Sequence, residues 1–153
     1  MDALAKAVNY LNIKPRTREQ VEKYLKGKGF GADEIEKAVS ELEEYNYIDD
    51  LNYAVMYFQL GFEKGRGVSR IRRELAEKGV DRETIDAAYY ELEDVPDQYD
   101  AAMEIAMSVA GGCDTEEMTY EEKTKLRAKI ARRLGSRGYS GDIAYRAAKE
   151  CVK

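Results

Sequence analysis

Three times along the chain an apolar pair spaced i, i+4 is followed, four residues later, by a glycine and another apolar residue. The sets are Val21, Leu25, Gly29 and Phe30; Ile71, Leu75, Gly79 and Val80; and Ile130, Leu134, Gly138 and Tyr139. A spacing of four puts both apolar side chains on one face of an α-helix. The glycine then supplies the left-handed residue that ends the helix, and the residue after it folds back on the last turn. A second stripe at 0, +4, +7 follows each set: Ile35, Val39 and Leu42; Ile85, Tyr89 and Leu92; Ala144, Ala148 and Cys151. That is the apolar face of an amphipathic helix, with the small residues of the last set predicting closer packing. Upstream of each pair lies another helical segment, about 3–11, 51–62 and 98–110. The pattern predicts nine helices in three groups of three.

The grouping is a true internal repeat. Residues 14–42 and 64–92 align without gaps at an offset of 50, and the third copy lies 59 positions beyond the second. The nine additional residues are assigned to 111–119, a polar stretch opening on Gly111-Gly112. Val95-Pro96 marks a boundary, because the residue before proline avoids helical backbone. The fold class is therefore all-α, three tandem three-helix, helix-turn-helix-like repeats at 1–46, 47–95 and 96–153, the third with its loop insertion near 111–119. A unit of about 50 residues has a thin core, so stacking between units supplies much of the stability.

Composition narrows the function. Charged residues make up 36% and apolar ones 44% of 153 residues, with two prolines and no tryptophan, which favours a folded helical protein. The longest apolar run, 53–58, is core-sized and far short of the roughly 18 residues that cross a bilayer. The N-terminus carries no signal-peptide pattern, so a cytoplasmic location without membrane contact is expected. Cys113 and Cys151 have no metal-ligand spacing and read as free thiols. The absence of histidine removes histidine-based acid–base, triad and metal chemistry. Gly65-Arg-Gly67 lacks the strand and the Gly-Lys-Ser/Thr ending of a phosphate loop and reads as a flexible lead-in to a helix. Asp33 and Asp81 read as helix caps, and Asp49-Asp50 as a capping pair at a helix entrance. Tyr53, Tyr57 and Phe58 have the spacing of core residues. No catalytic residue, metal site or cofactor is predicted.

Net charge is −5, yet it is unevenly spread. Residues 123–137 carry seven cations and no acid, and 64–73 carry five and no acid; residues 33–50 hold eight acids against one lysine. Middle helices are basic and final helices acidic. With Ile71 facing the core, Arg73 points away, flanked by Arg70 and Arg72. The alignment puts Lys23 and Arg132 at the same outward position. Candidate partner-binding residues are thus Lys23, Lys64, Arg66, Arg70, Arg72, Arg73, Lys129, Arg132 and Arg133. A stripe of this kind suits a phosphate backbone or an acidic protein surface. The competing explanation is that these cations are merely solvated or pair weakly with acidic neighbours.

Tyr47-Ile-Asp-Asp50, Tyr53-Ala54, Tyr57, Lys64-Gly-Arg66 and Arg70-Ile-Arg-Arg-Glu-Leu-Ala-Glu-Lys-Gly-Val80 together resemble the most characteristic part of RecX regulatory proteins. Lys14-Pro-Arg-Thr-Arg-Glu-Gln-Val21 is similar to the opening of that family's first unit. The third unit, with its insertion and alanine-rich last helix, matches only loosely. The resemblance implies an elongated, curved helical array that lodges on the RecA filament and inhibits strand exchange and ATP hydrolysis, acting in recombination, DNA repair and the SOS response. It implies no enzyme, allows direct contact with single- or double-stranded DNA, and nothing in the chain demands more than a monomer. The rival function is a helix-turn-helix protein that reads duplex DNA. That rival would insert the acidic helices 32–44 and 81–93 into a phosphate-lined groove.

Overall fold

The computed structural model describes residues 1–153 as nine α-helices and one 3-10 turn, Thr115–Glu117, with no strand. The helices are α1 (Ala3–Ile13), α2 (Arg18–Gly27), α3 (Ala32–Glu44), α4 (Asp50–Glu63), α5 (Val68–Glu77), α6 (Arg82–Glu91), α7 (Gln98–Ala110), α8 (Tyr120–Arg137) and α9 (Gly141–Cys151). Taken in threes they form an all-α helical repeat fold.

The middle helices α2, α5 and α8 end as their glycine spacing demands. Gly29, Gly79 and Gly138 have φ of 91°, 91° and 99°. The N–H of Phe30, Val80 and Tyr139 donates back to the carbonyl of Leu25, Leu75 and Leu134 at 3.3, 3.1 and 3.1 Å. Each glycine N–H donates to Lys26, Ala76 and Gly135 at 3.0, 3.0 and 3.1 Å, completing a Schellman pair that satisfies carbonyls otherwise lacking a helical partner. Gly65 (φ 75°) and Asn46 (φ 61°) close α4 and α3 in the same way. The segment 65–67 is therefore not the flexible lead-in expected from sequence. Arg66 N–H donates to Gly61, and Gly67 N–H donates to the carbonyl of Arg137 at 2.7 Å.

Most helix starts are capped by side chains. Asp81 accepts from Thr84 N–H at 2.8 Å, as expected, and Asp49 accepts from Asn52 N–H at 3.0 Å. Asp33 is not a cap: α3 starts after Gly31, whose N–H donates to Glu34, and Asp33 sits in the first turn, where it complements the helix dipole.

The chain divides into two compact units, Met1–Tyr57 with Glu74–Leu92, and Phe58–Arg73 with Glu93–Lys153. In unit one, Val21, Leu25, Val39 and Leu42 are sealed from solvent with Ala7 and Ile48. In unit two, Ile130, Leu134 and Val152 pack with Ala102, Ala106 and Ala147, the alanines letting α7, α8 and α9 approach closely. Two expected stripes shift. α6 stops at Glu91 and Leu92 turns extended, so Tyr89 and Leu92 are only half-buried, while Ala88 is buried beside Ile85 in sequence. Cys151 is half-buried, and Ala147 and Val152 take the sealed positions. Phe58 is fully buried, whereas Tyr53 and Tyr57 are half-buried and stack on each other at 6.1 Å.

The extra chain in the third copy is not all loop. Residues 111–119 connect α7 to α8, but α8 has 18 residues where α2 and α5 have 10. Its first two turns bring Lys123 Nζ to the carbonyl of Lys153 (2.9 Å) and Arg127 Nε to that of Val152 (2.6 Å). Cations thereby close the carbonyl end of α9.

Candidate interaction surface

One junction is built twice. In unit one the start of α2 meets the end of α5. The buried Thr17 hydroxyl accepts from Gln20 N–H (3.2 Å) and donates to the carbonyl of Lys78 (2.6 Å), a late carbonyl of α5. Gln20 Oε1 accepts in return from Thr17 N–H at 3.0 Å, completing a capping box. A Cβ on Gly79 would run into the Glu19 side chain. In unit two the start of α5 meets the end of α8. Gly67, the counterpart of Thr17, donates its N–H to the carbonyl of Arg137, the counterpart of Lys78. A Cβ on Gly138 would lie 2.6 Å from Arg70 N, and one on Gly67 would lie 2.8 Å from Tyr139 N.

The candidate cations divide between the two units. Lys23 lies in unit one, with 72% of its side chain exposed and its ammonium 3.7 Å from Glu19. The other eight lie in unit two. Lys64, Arg73, Lys129, Arg132 and Arg133 are exposed, and Arg66, Arg70 and Arg72 are half-buried. The matched outward residues Lys23, Arg73 and Arg132 are thus all solvent-facing. Arg70 Nη1 donates to the carbonyl of Ser136 (3.4 Å), Arg137 Nη1 donates to that of Lys64 (3.2 Å), and the Tyr139 hydroxyl donates to that of Gly65 (3.1 Å). These bonds gather Lys64, Arg70 and Arg137 at one place. Arg137 was missing from the sequence-predicted set, although its alignment with Lys28 and Lys78 beside the helix-ending glycine was the available signal.

The acidic helices of unit one are engaged differently. The Arg18 guanidinium pairs with Glu22 (3.2 Å), Glu36 (2.9 Å) and Glu43, while its backbone N–H donates to Asp50 (2.9 Å). Hydrogen bonds from Ser40 and Arg18 hold the Glu36 carboxyl below its ordinary value. Burial pushes the Asp50 carboxyl up, against the bond from Arg18 N–H and with help from the negative charges of Asp81 and Asp49. Arg16 lies 4.1 Å from the centre of the Tyr10 ring, its Nε buried without a hydrogen bond. A cation over an aromatic face is the compensation there.

No three His, Cys, Asp or Glu side chains are placed to hold a metal ion, both cysteines are free, and no helix is long and apolar enough to cross a membrane. Asp33, Glu34, Glu36, Glu43 and Glu44 on α3, and Glu83, Asp86 and Glu91 on α6, are exposed.

Comparison with known proteins matches residues 3–42 to the model of the first three-helix domain of RecX, and residues 49–88 to that of the second. The regulatory protein RecX of Lactobacillus johnsonii is 30% identical over 142 residues, covering 92% of this chain and 50% of that protein. That of Clostridium botulinum is 31% identical over 147 residues, covering 95% and 66%. The chain thus spans about half to two thirds of the length of these curated relatives. A crystal structure of RecX from Lactobacillus salivarius superposes with a TM-score of 0.78 at 26% identity, over 97% of this chain and 94% of that one.

Proposed function

The chain belongs to the RecX family, and from that premise we propose that it binds the RecA nucleoprotein filament and inhibits its recombinase and ATPase activities, so modulating recombination and DNA repair. The observation that supports this reading is the exposure of Lys23, Arg73 and Arg132, one from the middle helix of each repeat. A filament repeats one surface along its length, and a chain of three like units offers it several modest contacts that add through effective concentration. Inhibition then requires tighter binding to one filament state than to another. In this reading Lys64, Arg66, Arg70, Arg72, Lys129 and Arg133 extend the contact surface, and the protein acts as a cytoplasmic monomer, without cofactor or catalysis. The helix-turn-helix alternative is disfavoured by the exposed carboxylates of α3 and α6, which phosphates would repel.

Titration of the protein into RecA ATPase and strand-exchange assays tests the proposal. The expected result is dose-dependent inhibition. Replacing Arg72, Arg73 and Arg132 with alanine should raise the half-inhibitory concentration by about tenfold, on the order of 1.4 kcal/mol, with unchanged helical circular dichroism. Absence of inhibition by the unaltered chain would sink the reading.

A further inference from the structure

The two equivalent junctions carry opposite charge. In unit one the facing positions of α2 and α5 are Glu19, Gln20 and Lys23 against Glu74, Glu77 and Lys78. With Tyr57 they line a cavity of about 330 Å³. Lys23 lies 3.7 Å from Glu19, the Tyr57 hydroxyl donates to Glu74 (3.2 Å), and Lys78 sits over the Tyr57 ring. The alignment carries the same six positions to Ser69, Arg70 and Arg73 on α5 and to Arg133, Ser136 and Arg137 on α8. Three carboxylates and two ammoniums are exchanged for four guanidiniums, two hydroxyls and no carboxylate. The docking bond persists through the exchange, donated by a side-chain hydroxyl in unit one and by a backbone N–H in unit two. In both junctions the last turn of a middle helix accepts a hydrogen bond from the start of the preceding middle helix.

We infer that the α5–α8 junction of unit two is a binding surface for a phosphodiester backbone, and that its counterpart in unit one is closed to that ligand by its carboxylates. Guanidinium groups present planar donor forks that match phosphate oxygens. Arg73, Arg133, Ser69 and Ser136 are exposed, so donors of both kinds are accessible. An acidic protein is the weaker fit. Protein interfaces draw their affinity from a buried aromatic or aliphatic anchor, and none of the six positions supplies one. A surface that is wholly polar and strongly cationic has the character of nucleic-acid interfaces. The inference refines the filament reading by naming what the basic surface holds, and its test does not depend on RecA.

The experiment is fluorescence anisotropy of a labelled single-stranded oligothymidylate with the full chain, at several salt concentrations. Arg133→Glu with Ser136→Glu writes the unit-one residues into unit two, and Lys78→Glu, in the unit-one cavity, is the control. The double variant should bind at least ~10-fold more weakly at low salt, with the slope of log affinity against log salt reduced by about one to two. Lys78→Glu should stay within about twofold of the parent, since its neighbours Glu19, Glu74 and Glu77 already exclude phosphate. Circular dichroism melts check folding, and if the double variant melts early, Arg133→Gln replaces it, with a severalfold loss expected. Unaltered affinity in the unit-two variant, or an equal loss in Lys78→Glu, overturns the inference. So does displacement of the oligonucleotide by polyglutamate as readily as by unlabelled DNA, which would assign the surface to an acidic protein. Running the variants in the RecA ATPase assay separates the two readings: lost DNA affinity with intact inhibition supports the inference alone, and intact affinity overturns it whatever RecA does.

Discussion

Thr17 shows how much one side chain can carry. Its oxygen caps α2 and its hydrogen closes the end of α5, 61 residues away, with no solvent exposure. Thr17→Val removes the cap, worth ~1 kcal/mol, and leaves the Lys78 carbonyl unpaired, so a loss of about 2–3 kcal/mol is expected in urea denaturation. Thr17→Ser, which keeps the hydroxyl, should recover most of it. Asp50 runs the other way. Its folded-state pKa is raised, chiefly by burial, so the native protein holds that proton more tightly than the unfolded chain. Its contribution is present at low pH and is lost as pH rises through the raised folded value. Asp50→Asn keeps an oxygen to accept from Arg18 N–H without the charge. It should melt no lower than the parent at neutral pH, and its advantage should shrink as the parent is acidified through the carboxylate range.

At the level of elements, the three helix-ending glycines separate backbone strain from close approach. Gly29, Gly79 and Gly138 share a left-handed φ, but a Cβ at Gly29 meets nothing within 4 Å, whereas at Gly79 it meets Glu19 and at Gly138 it meets Arg70. Gly29→Ala should cost ~1–2 kcal/mol, the left-handed penalty alone. Gly138→Ala, which must also displace the Arg70 backbone, should cost an additional ~1–3 kcal/mol by thermal or urea unfolding. Equal losses at the two positions would show that the junction yields freely. The helix ends were legible in the sequence because a Schellman turn is local, set by a glycine and the apolar residues either side of it. The added turns of α8 were not. Nothing in 120–127 says that Lys123 finds the carbonyl of Lys153 and Arg127 that of Val152, since these contacts join residues 30 and 25 positions apart.

At the level of the whole chain, the compact units cut across the repeats. Unit one takes Glu74–Leu92 in addition to its own first three helices. We propose that the repeats 1–46, 47–95 and 96–153 are units of sequence rather than of stability. A fragment ending at residue 46 loses the buried Ile48, the Asp50 acceptor for Arg18 N–H, and the Lys78 carbonyl bound by Thr17. It should unfold without a cooperative transition in urea, where the full chain should show one. A sharp transition in that fragment, matching the full chain in midpoint, would make each repeat self-sufficient.

The pattern of apolar residues and glycines was enough to place nine helices and the glycine-ended stops of α2, α5 and α8. Each of these is governed by interactions within about five residues, which any linear reading can see. The outward direction of Lys23, Arg73 and Arg132 followed from the same periodicity. Tertiary structure alone decided which helix ends meet. It drew Arg137 into the basic surface through its bond to Lys64, confined Arg18 to an internal clamp, and gave two equivalent junctions opposite charge. The physical reason is that a junction's electrostatics belong to pairs of side chains from separate repeats, and a one-dimensional charge profile cannot assign partners to them.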